Sequence, residues 1–187
     1  MDRQPTLAGE RLRLRPLRAD DWNDLFGVAA DPLIWELHPA HDRWQEPVFR
    51  AFFADALAQG GALLAIDRTS GAAIGSSRFQ GHDPASGGSA EIGWTFLARS
   101  HWGGGWNREM KRLMLGHAFR FVERIDFRVG ESNLRSRRAM EKIGGRLSER
   151  SEEVEVAGRA VRHVIYEIDR ESFENGPLVT RVSSASA

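Results

Sequence analysis

No cysteine occurs in the 187 residues. That excludes disulfides, thiolate metal sites and a cysteine nucleophile, and it fits a reducing compartment. Neither sign of charge is in excess: 26 Lys and Arg stand against 26 Asp and Glu. Such a chain has no bulk attraction for nucleic acid or an anionic membrane, so any anion site has to be local. No apolar run approaches the roughly 20 residues that span a bilayer. Charge interrupts the opening MDRQPTLAGERLRLRPL too often for a signal peptide. These absences predict a cytoplasmic protein with no nucleic-acid or membrane partner.

What is present is an ordinary globular balance, 41% apolar and 28% charged. The length suggests one domain that buries its own core. We expect residues 7–175 to form that domain and 176–187, ending in SSASA, to be a flexible C-terminal tail.

Periodicity sets out the elements. Arginine and leucine alternate over Arg11–Arg15 as in a half-buried strand, which Pro16 stops. Trp22, Leu25, Phe26 and Ala29 recur at helical spacing after Asp20-Asp21, and Asp31-Pro32 breaks that helix. Glu46–Gln59 predicts a second helix, closed by Gly60-Gly61. Three strands follow at Ala62–Asp67, Ala73–Gln80 and Ser89–Leu97. Asn107–Val122 carries the strongest helical pattern, with Met110, Leu113, Met114, His117, Ala118 and Phe121 on one face. Ile125–Val129 predicts a short strand, and Ser132/Asn133 cap a helix running to Ile143. Arg146–Val156 and Arg159–Asp169 predict a hairpin turning at Ala157-Gly158. Short turns join the middle strands while helices and strands alternate later, so the fold class is α/β (α+β), a mixed sheet with helices on both faces.

The chemistry concentrates between Glu91 and Met110: a strand, then Gly103-Gly104-Gly105, then a helix start. Glycines let backbone N–H groups turn inward into a concave nest. The helix that follows contributes unpaired amides and the positive end of its dipole. Together they suit a phosphate or pyrophosphate, with Arg108, Lys111 and Arg112 adding charge nearby. The same glycines also serve a plain flexible turn. No Gly-Lys-Ser/Thr follows, as a P-loop requires, and the dinucleotide fingerprint is absent.

Trp102-Gly-Gly-Gly-Trp-Asn-Arg-Glu109, followed by a helix, a strand, Asn133-Leu-Arg-Ser136 and Glu141-Lys-Ile-Gly144, resembles the GNAT N-acetyltransferase superfamily. Leu12-Arg-Leu-Arg-Pro-Leu17 with Asp20-Asp21-Trp22, and Asp31-Pro32 before an aromatic, resemble its ribosomal-protein N-terminal acetyltransferase (RimJ/RimL-like) branch. The resemblance covers roughly residues 7–170. It implies a strongly twisted mixed sheet of about seven strands whose central parallel strands, Ser89–Leu97 and Ile125–Val129, splay apart. It implies acetyl-coenzyme A as co-substrate, with the pantetheine arm in the gap on the backbone of Phe96 and Leu97. The pyrophosphate would rest on the amides of Gly103, Gly104, Gly105, Trp106, Asn107 and Arg108. Asn133 and Ser136 match positions facing the pantetheine arm and thiol. Asn107 departs from the family's usual alanine or glycine, either narrowing the nest or capping the helix with its side chain. Gly145 departs from a frequent phenylalanine.

Acetyl transfer needs a neutral amine, donors for an oxyanion, and a proton for the departing thiolate. An α-amine, near 7.7–8.0, is partly neutral already, so a modest base suffices. Glu91 is the candidate base, acting directly or through a water. Strand alternation predicts that it shares a face with Gly93 and Thr95, opposite Ile92, Trp94 and Phe96. A salt-bridged strand carboxylate is the other reading. Ser136 is the candidate proton donor, or else a helix-start hydrogen-bonder. Tyr166, the single tyrosine, reads as core. Trp35 and Trp44, with His38 and His41, occupy the early region that lines acceptor sites in the family. Two histidines without further ligands make no metal site, and no metal is expected. Arg135, Arg137 and Arg138 form a basic cluster that either meets the 3′-phosphate or is an exposed helix face. The acceptor is expected to be a protein N-terminal α-amine or a small-molecule amine, attacked directly in a ternary complex. A non-catalytic acyl-CoA-binding sensor is the alternative. Exposed tryptophans are compatible with a homodimer.

Overall fold

The structure, a computed structural model, describes residues 1–156 and 158–179. Ala157 of the expected hairpin turn and residues 180–187 of the expected tail lie outside them. Strands are β1 (Leu7–Ala8), β2 (Leu12–Pro16), β3 (Ala62–Asp67), β4 (Ala73–Asp83), β5 (Ser89–Leu97), β6 (Arg124–Gly130), β7 (Arg146–Val156) and β8 (Arg159–Asp169). Helices are α1 (Trp22–Ala29), α2 (Pro32–Trp35), α3 (Glu46–Gln59), α4 (Trp106–Ala118), α5 (Leu134–Lys142) and α6 (Arg170–Glu174). The strands form one sheet in the order β1-β2-β3-β4-β5-β6-β8-β7. It has eight strands against the expected seven or so, the short β1 being the addition. Pro16 is the last residue of β2 and pairs with Leu63; its missing N–H is tolerated at a strand end.

Each face of the sheet carries its own core. Leu12, Leu14, Leu63, Ile74, Phe79, Ile92 and Ile125 pack against Met110, Met114 and Leu115 of α4 and Met140 of α5. Leu17, Leu64, Ile66 and Phe96 pack on the opposite face against Leu25, Trp35, Phe49 and Phe53 of the first three helices. Helix α4 ends at Ala118, earlier than expected. Phe119 and Val122 stay fully buried in the turns that follow, so the apolar pattern outlasts the helix.

Neighbouring strands are antiparallel except β5 and β6. That parallel pair bonds only at Ser89–Arg124, Ala90–Ile125 and Glu91–Asp126. Beyond it, Ile92–Leu97 and Phe127–Gly130 run on without pairing with each other. A bulge lies at the same place: on β4 the register runs from Arg78 to Ser76 while on β5 it runs from Gly93 to Phe96. Trp94 absorbs the extra residue with φ 51°, the sole positive φ of a non-glycine residue among those described.

The bulge overturns the expected alternation. Thr95 faces α4, where its hydroxyl meets Lys111. Phe96 joins the α1–α3 core, and Trp94 lies under the guanidinium of Arg78, whose partner is Asp55 of α3. Glu91 therefore shares a face with Gly93, Trp94 and Phe96, and Thr95 lies on the other side.

The end of the domain is also firmer than expected. Asp169 caps α6 by accepting from Ser172 N–H at 2.7 Å. Leu178, 4% exposed, belongs to the α4 core, and the Pro177 carbonyl accepts from Arg108. Of the expected tail from residue 176, Pro177 and Leu178 are packed against the domain, while Val179 is exposed. Leu178→Ala should lower unfolding free energy by about 2–4 kcal/mol, read by urea denaturation; a loss under about 0.5 kcal/mol would return these residues to a loose tail.

Candidate active site

Gly103, Gly104 and Gly105 take φ of 71°, 51° and 85°. Successive left-handed residues turn their amides the same way, which side-chain-bearing residues do only under strain. Gly105 occupies the cap position of α4 with no side-chain cap. Asn107 is the second residue of the helix, so the expected cap by its side chain does not form. The first amide bonded back into the helix is that of Glu109, donating to the Gly105 carbonyl at 2.9 Å. The amides ahead of it, over Trp106, Asn107 and Arg108, head an α-helix at its positive end.

The turn is braced from the residue just before β2. Arg11 Nη1 donates to the Gly104 carbonyl at 2.7 Å, and its guanidinium lies 4.9 Å from the centre of the Trp106 ring. Glu109 accepts from the Arg11 side chain and from the backbone N–H groups of Arg11 and Leu12. The Gly104 carbonyl is thereby tied down while the turn's amides stay clear. Arg11 and Glu109 escaped the sequence reading, because a brace across 98 positions leaves no local pattern. The charge expected around the turn is redistributed. Arg108 reaches to Pro177, Lys111 is buried against the sheet, and Arg112 alone is left exposed.

Phe96 and Leu97 lie on the edge of β5 that faces the gap. The Leu97 carbonyl already accepts from the indole of Trp102 at 2.9 Å. Asn133 caps α5 by accepting from Ser136 N–H at 3.1 Å, while no hydrogen bond engages the Ser136 hydroxyl among the described residues. Tyr166 is 1% exposed, donating to Glu141 at 3.1 Å and accepting from Arg137 at 3.2 Å. The basic cluster disperses: Arg135 bonds to the Ile34 carbonyl at 2.7 Å and stacks on Trp102, and Arg137 turns to Tyr166 and the Glu131 carbonyl.

Glu91, on the α1–α3 face, is ion-paired with Arg128, which also holds Glu152 at 2.8 Å. The pair uses Oε2. Oε1 lies over Gly93, where an added Cβ would come within 3.3 Å of it. The salt-bridge reading is thus real, and one oxygen still points to where the strands part. Trp35 is 2% exposed with its indole donating to the Ala29 carbonyl, so it backs Phe96 from within the core, 5.0 Å between rings. Trp44 is exposed.

The same face is rich in cations. Arg43 lies over Phe52 and Trp35, at 4.5 and 5.3 Å from the ring centres, with no carboxylate in ion-pair range among the described residues. Burial pulls it down to about 10, with Asp42 opposing and Arg78 adding to the shift. Burial, with Arg43, His163 and Arg135 alongside, pulls His38 down to about 3, so it is neutral at pH 7. His163 Nδ1 is buried with no partner among the described residues. No three or more His, Cys, Asp or Glu side chains among those residues gather as a metal site.

An unpaired strand edge beside a glycine turn at a helix start is the arrangement implied by the resemblance. The sequence profile of the Acetyltransferase (GNAT) domain matches residues 11–146. The chain belongs to the GNAT acetyltransferase family. It is an acetyl-CoA-dependent N-acetyltransferase, transferring acetyl to an amine. Solved structures share the architecture. A GCN5-related N-acetyltransferase from Brucella melitensis is 22% identical, with a TM-score of 0.75, over 91% of this chain and 80% of that one. RimJ from Mycobacterium smegmatis, solved in complex with CoA-disulfide, is 23% identical at TM-score 0.68, over 89% and 88%. Spermidine N-acetyltransferase from Vibrio cholerae, in complex with CoA and spermine, is 18% identical at TM-score 0.67, over 88% and 99%. At such identities the likeness is one of fold. No curated protein matches the chain.

Within this GNAT frame, the Arg11 brace is expected to act on binding of the acyl donor, because it holds the Gly104 carbonyl and the Trp106 ring at the turn. Arg11→Ala should raise KM for acetyl-CoA about tenfold and leave kcat within about twofold, in a steady-state thiol-release assay. A fall confined to kcat would show that the brace serves the chemical step instead.

Proposed function

We propose that this GNAT enzyme acetylates an α-amine that carries a negative charge nearby, on a protein N-terminus or a small molecule, by direct attack in a ternary complex. The observation that carries the reading is the cationic, aromatic-backed acceptor face beside the parted strands. Arg43 lies there without an acid partner on rings that lead to Phe96. Arg135 too has no carboxylate in ion-pair range among the described residues, with Glu36 acting on it from farther off. Two neighbouring cations repel a polyamine and attract a carboxylate. We place the site in the RimJ/RimL-like branch on the motifs that resemble it. The reaction belongs in the cytoplasm: no helix among the described residues is long and apolar enough to cross a membrane, and the chain has no cysteine. The homodimer expectation rests on the exposed Trp44 and Trp102.

In this reading the amides over Gly103–Arg108 hold the pyrophosphate, and the edge of β5 at Phe96 and Leu97 orders the pantetheine arm beside Asn133 and Ser136. Arg43 orients the acceptor by its anion, so that the amine meets the thioester across the gap. Nitrogen attacks the acyl carbon and forms the C–N bond, and the C–S bond breaks. Glu91 takes the ammonium proton through Oε1, directly or by one water, while Arg128 keeps the carboxylate in place. The Ser136 hydroxyl gives its proton to the thiolate and is reprotonated from solvent. The hydrogen bonds of Tyr166 to Arg137 and Glu141 favour a structural role for that residue.

The test is turnover on an amine panel. A dipeptide with an acidic second residue should exceed spermidine in kcat/KM by about tenfold or more, and Arg43→Gln should remove most of that margin. The opposite preference would overturn the acceptor assignment. Glu91→Gln should flatten the acid limb of the pH–rate curve; an unchanged limb takes Glu91 out of the mechanism.

A further inference from the structure

Lys111 is 1% exposed. It projects from α4 onto the sheet about one and a half turns beyond the glycine bend. Its Nζ donates to Thr95 Oγ1 at 2.7 Å and Ser77 Oγ at 3.3 Å, and lies 5.6 Å from the centre of the Phe127 ring. The two hydroxyls are 2.8 Å apart. Lys111 thus touches β4 and both of the parting strands, and on β5 it touches the bulge. Ser77, Thr95 and Phe127 are the groups that face it, and none is charged. Of the charged residues of these strands, Arg78, Glu91, Arg124, Asp126 and Arg128 are paired away from it and Asp83 is exposed at the far end of β4, while Glu109 on its own helix is occupied by Arg11. With no acid nearby, burial pulls the amine down to about 7.

Burying an amine without a counter-charge is costly, and an unbranched apolar side chain would fill the same space at lower cost. Stability therefore does not account for a lysine here. Its placement does: the bulge holds Trp94 in a left-handed conformation, and Lys111 grips the next residue.

We propose that Lys111 is a positioning residue: by holding Thr95 and Ser77 it fixes the β5 bulge, and with it the free edge over Trp94–Leu97 on which the acyl donor is laid. The proposal rests on the acetyl-CoA reading for its effect on rate, but its effect on the strand is independent of any ligand. The grip is also sensitive to pH. An ammonium can only donate to the two hydroxyls, whereas a neutral amine can accept from one of them, so the hydroxyls reorient as it titrates.

Lys111→Met, Thr95→Val and Thr95→Ser are the variants. Hydrogen exchange of the amides over 94–97, followed by mass spectrometry without cofactor, should quicken about tenfold or more in Lys111→Met and Thr95→Val, and stay near wild type in Thr95→Ser. In the thiol-release assay kcat should fall about tenfold in the first two and recover in Thr95→Ser. Thermal unfolding gives a separate readout. Between about pH 7 and 10.5 the unfolded chain binds a proton that folded Lys111 does not, so wild-type stability should rise with pH across that window. Lys111→Met should lack that rise and melt higher than wild type at pH 7. Unchanged exchange over 94–97 in Thr95→Val overturns the proposal whatever the rates do, and this variant carries the test should Lys111→Met fail to fold. Acetylation of Lys111 on incubation with acetyl-CoA also overturns it, by making the lysine a reactant. If wild type takes up no acetyl-CoA by calorimetry, the acetyl-transfer reading falls, while exchange and melting still decide the role of Lys111.

Discussion

The parting of β5 and β6 after Glu91 and Asp126 governs the functional half of this molecule. A strand edge inside a sheet is normally satisfied by its neighbour, and leaving it open costs unless something else bonds to it. Here the chain invests several devices in keeping it open. The bulge twists β5 away at the point of separation, and Gly75 lets β4 follow. An added Cβ at Gly75 would come within 2.1 Å of the Phe96 carbonyl, at φ 152°. The indole of Trp102 takes the last carbonyl of the strand. What is left is a short run of backbone, fixed in place and flanked by two cores, that is complementary to an extended polar arm.

Charge is distributed around that gap by a consistent rule. On the α4 face the positive groups at the glycine turn are backbone amides and a helix dipole, and the side chains beside them are braces. Arg11 and Glu109 satisfy each other and the turn. On the opposite face the charges are side chains. Glu91, Arg128 and Glu152 form a chain of ion pairs, while Arg43 and Arg135 rest on aromatic rings without an acid. The rings offset part of the cost of burying these guanidinium groups, and Arg43 keeps its donors for a ligand. The neutral His38 beside them adds shape without adding charge.

Much of the fold was legible because it depends on local patterns. The bounds of α3, β3, β5, β7 and β8 follow from helical and alternating apolar spacing, and the glycine turn announces itself by composition. The parts that were not legible depend on partners far along the chain. The bulge exists only as a mismatch between β4 and β5, so the face of Thr95 and Phe96 could not be read from β5 alone. Lys111 stands beside Arg112 and reads with it as charge near the glycine turn; its burial follows from the helix phase set by Met110 and Met114. Residues 176–179 lead toward the serine- and alanine-rich end of the sequence, yet Leu178 finds a place in the α4 core. The dispersal of Arg135 and Arg137 onto separate partners is likewise a tertiary outcome, invisible in a run of like charges.

Helix α4 joins these features mechanically. Its first amides adjoin the glycine turn, Glu109 ties it to β2, and Lys111 ties it to the bulge, all within about two turns, or roughly 9 Å of axis. An α-helix of this length transmits displacement with little bending, because its hydrogen-bond ladder resists local extension. The glycine turn and the grip on Thr95 are thus borne by one uninterrupted helix. In the binding mode proposed above, one rigid element registers the two ends of a long, flexible acyl donor, which reduces the conformational freedom that the donor must lose before its thioester meets an amine.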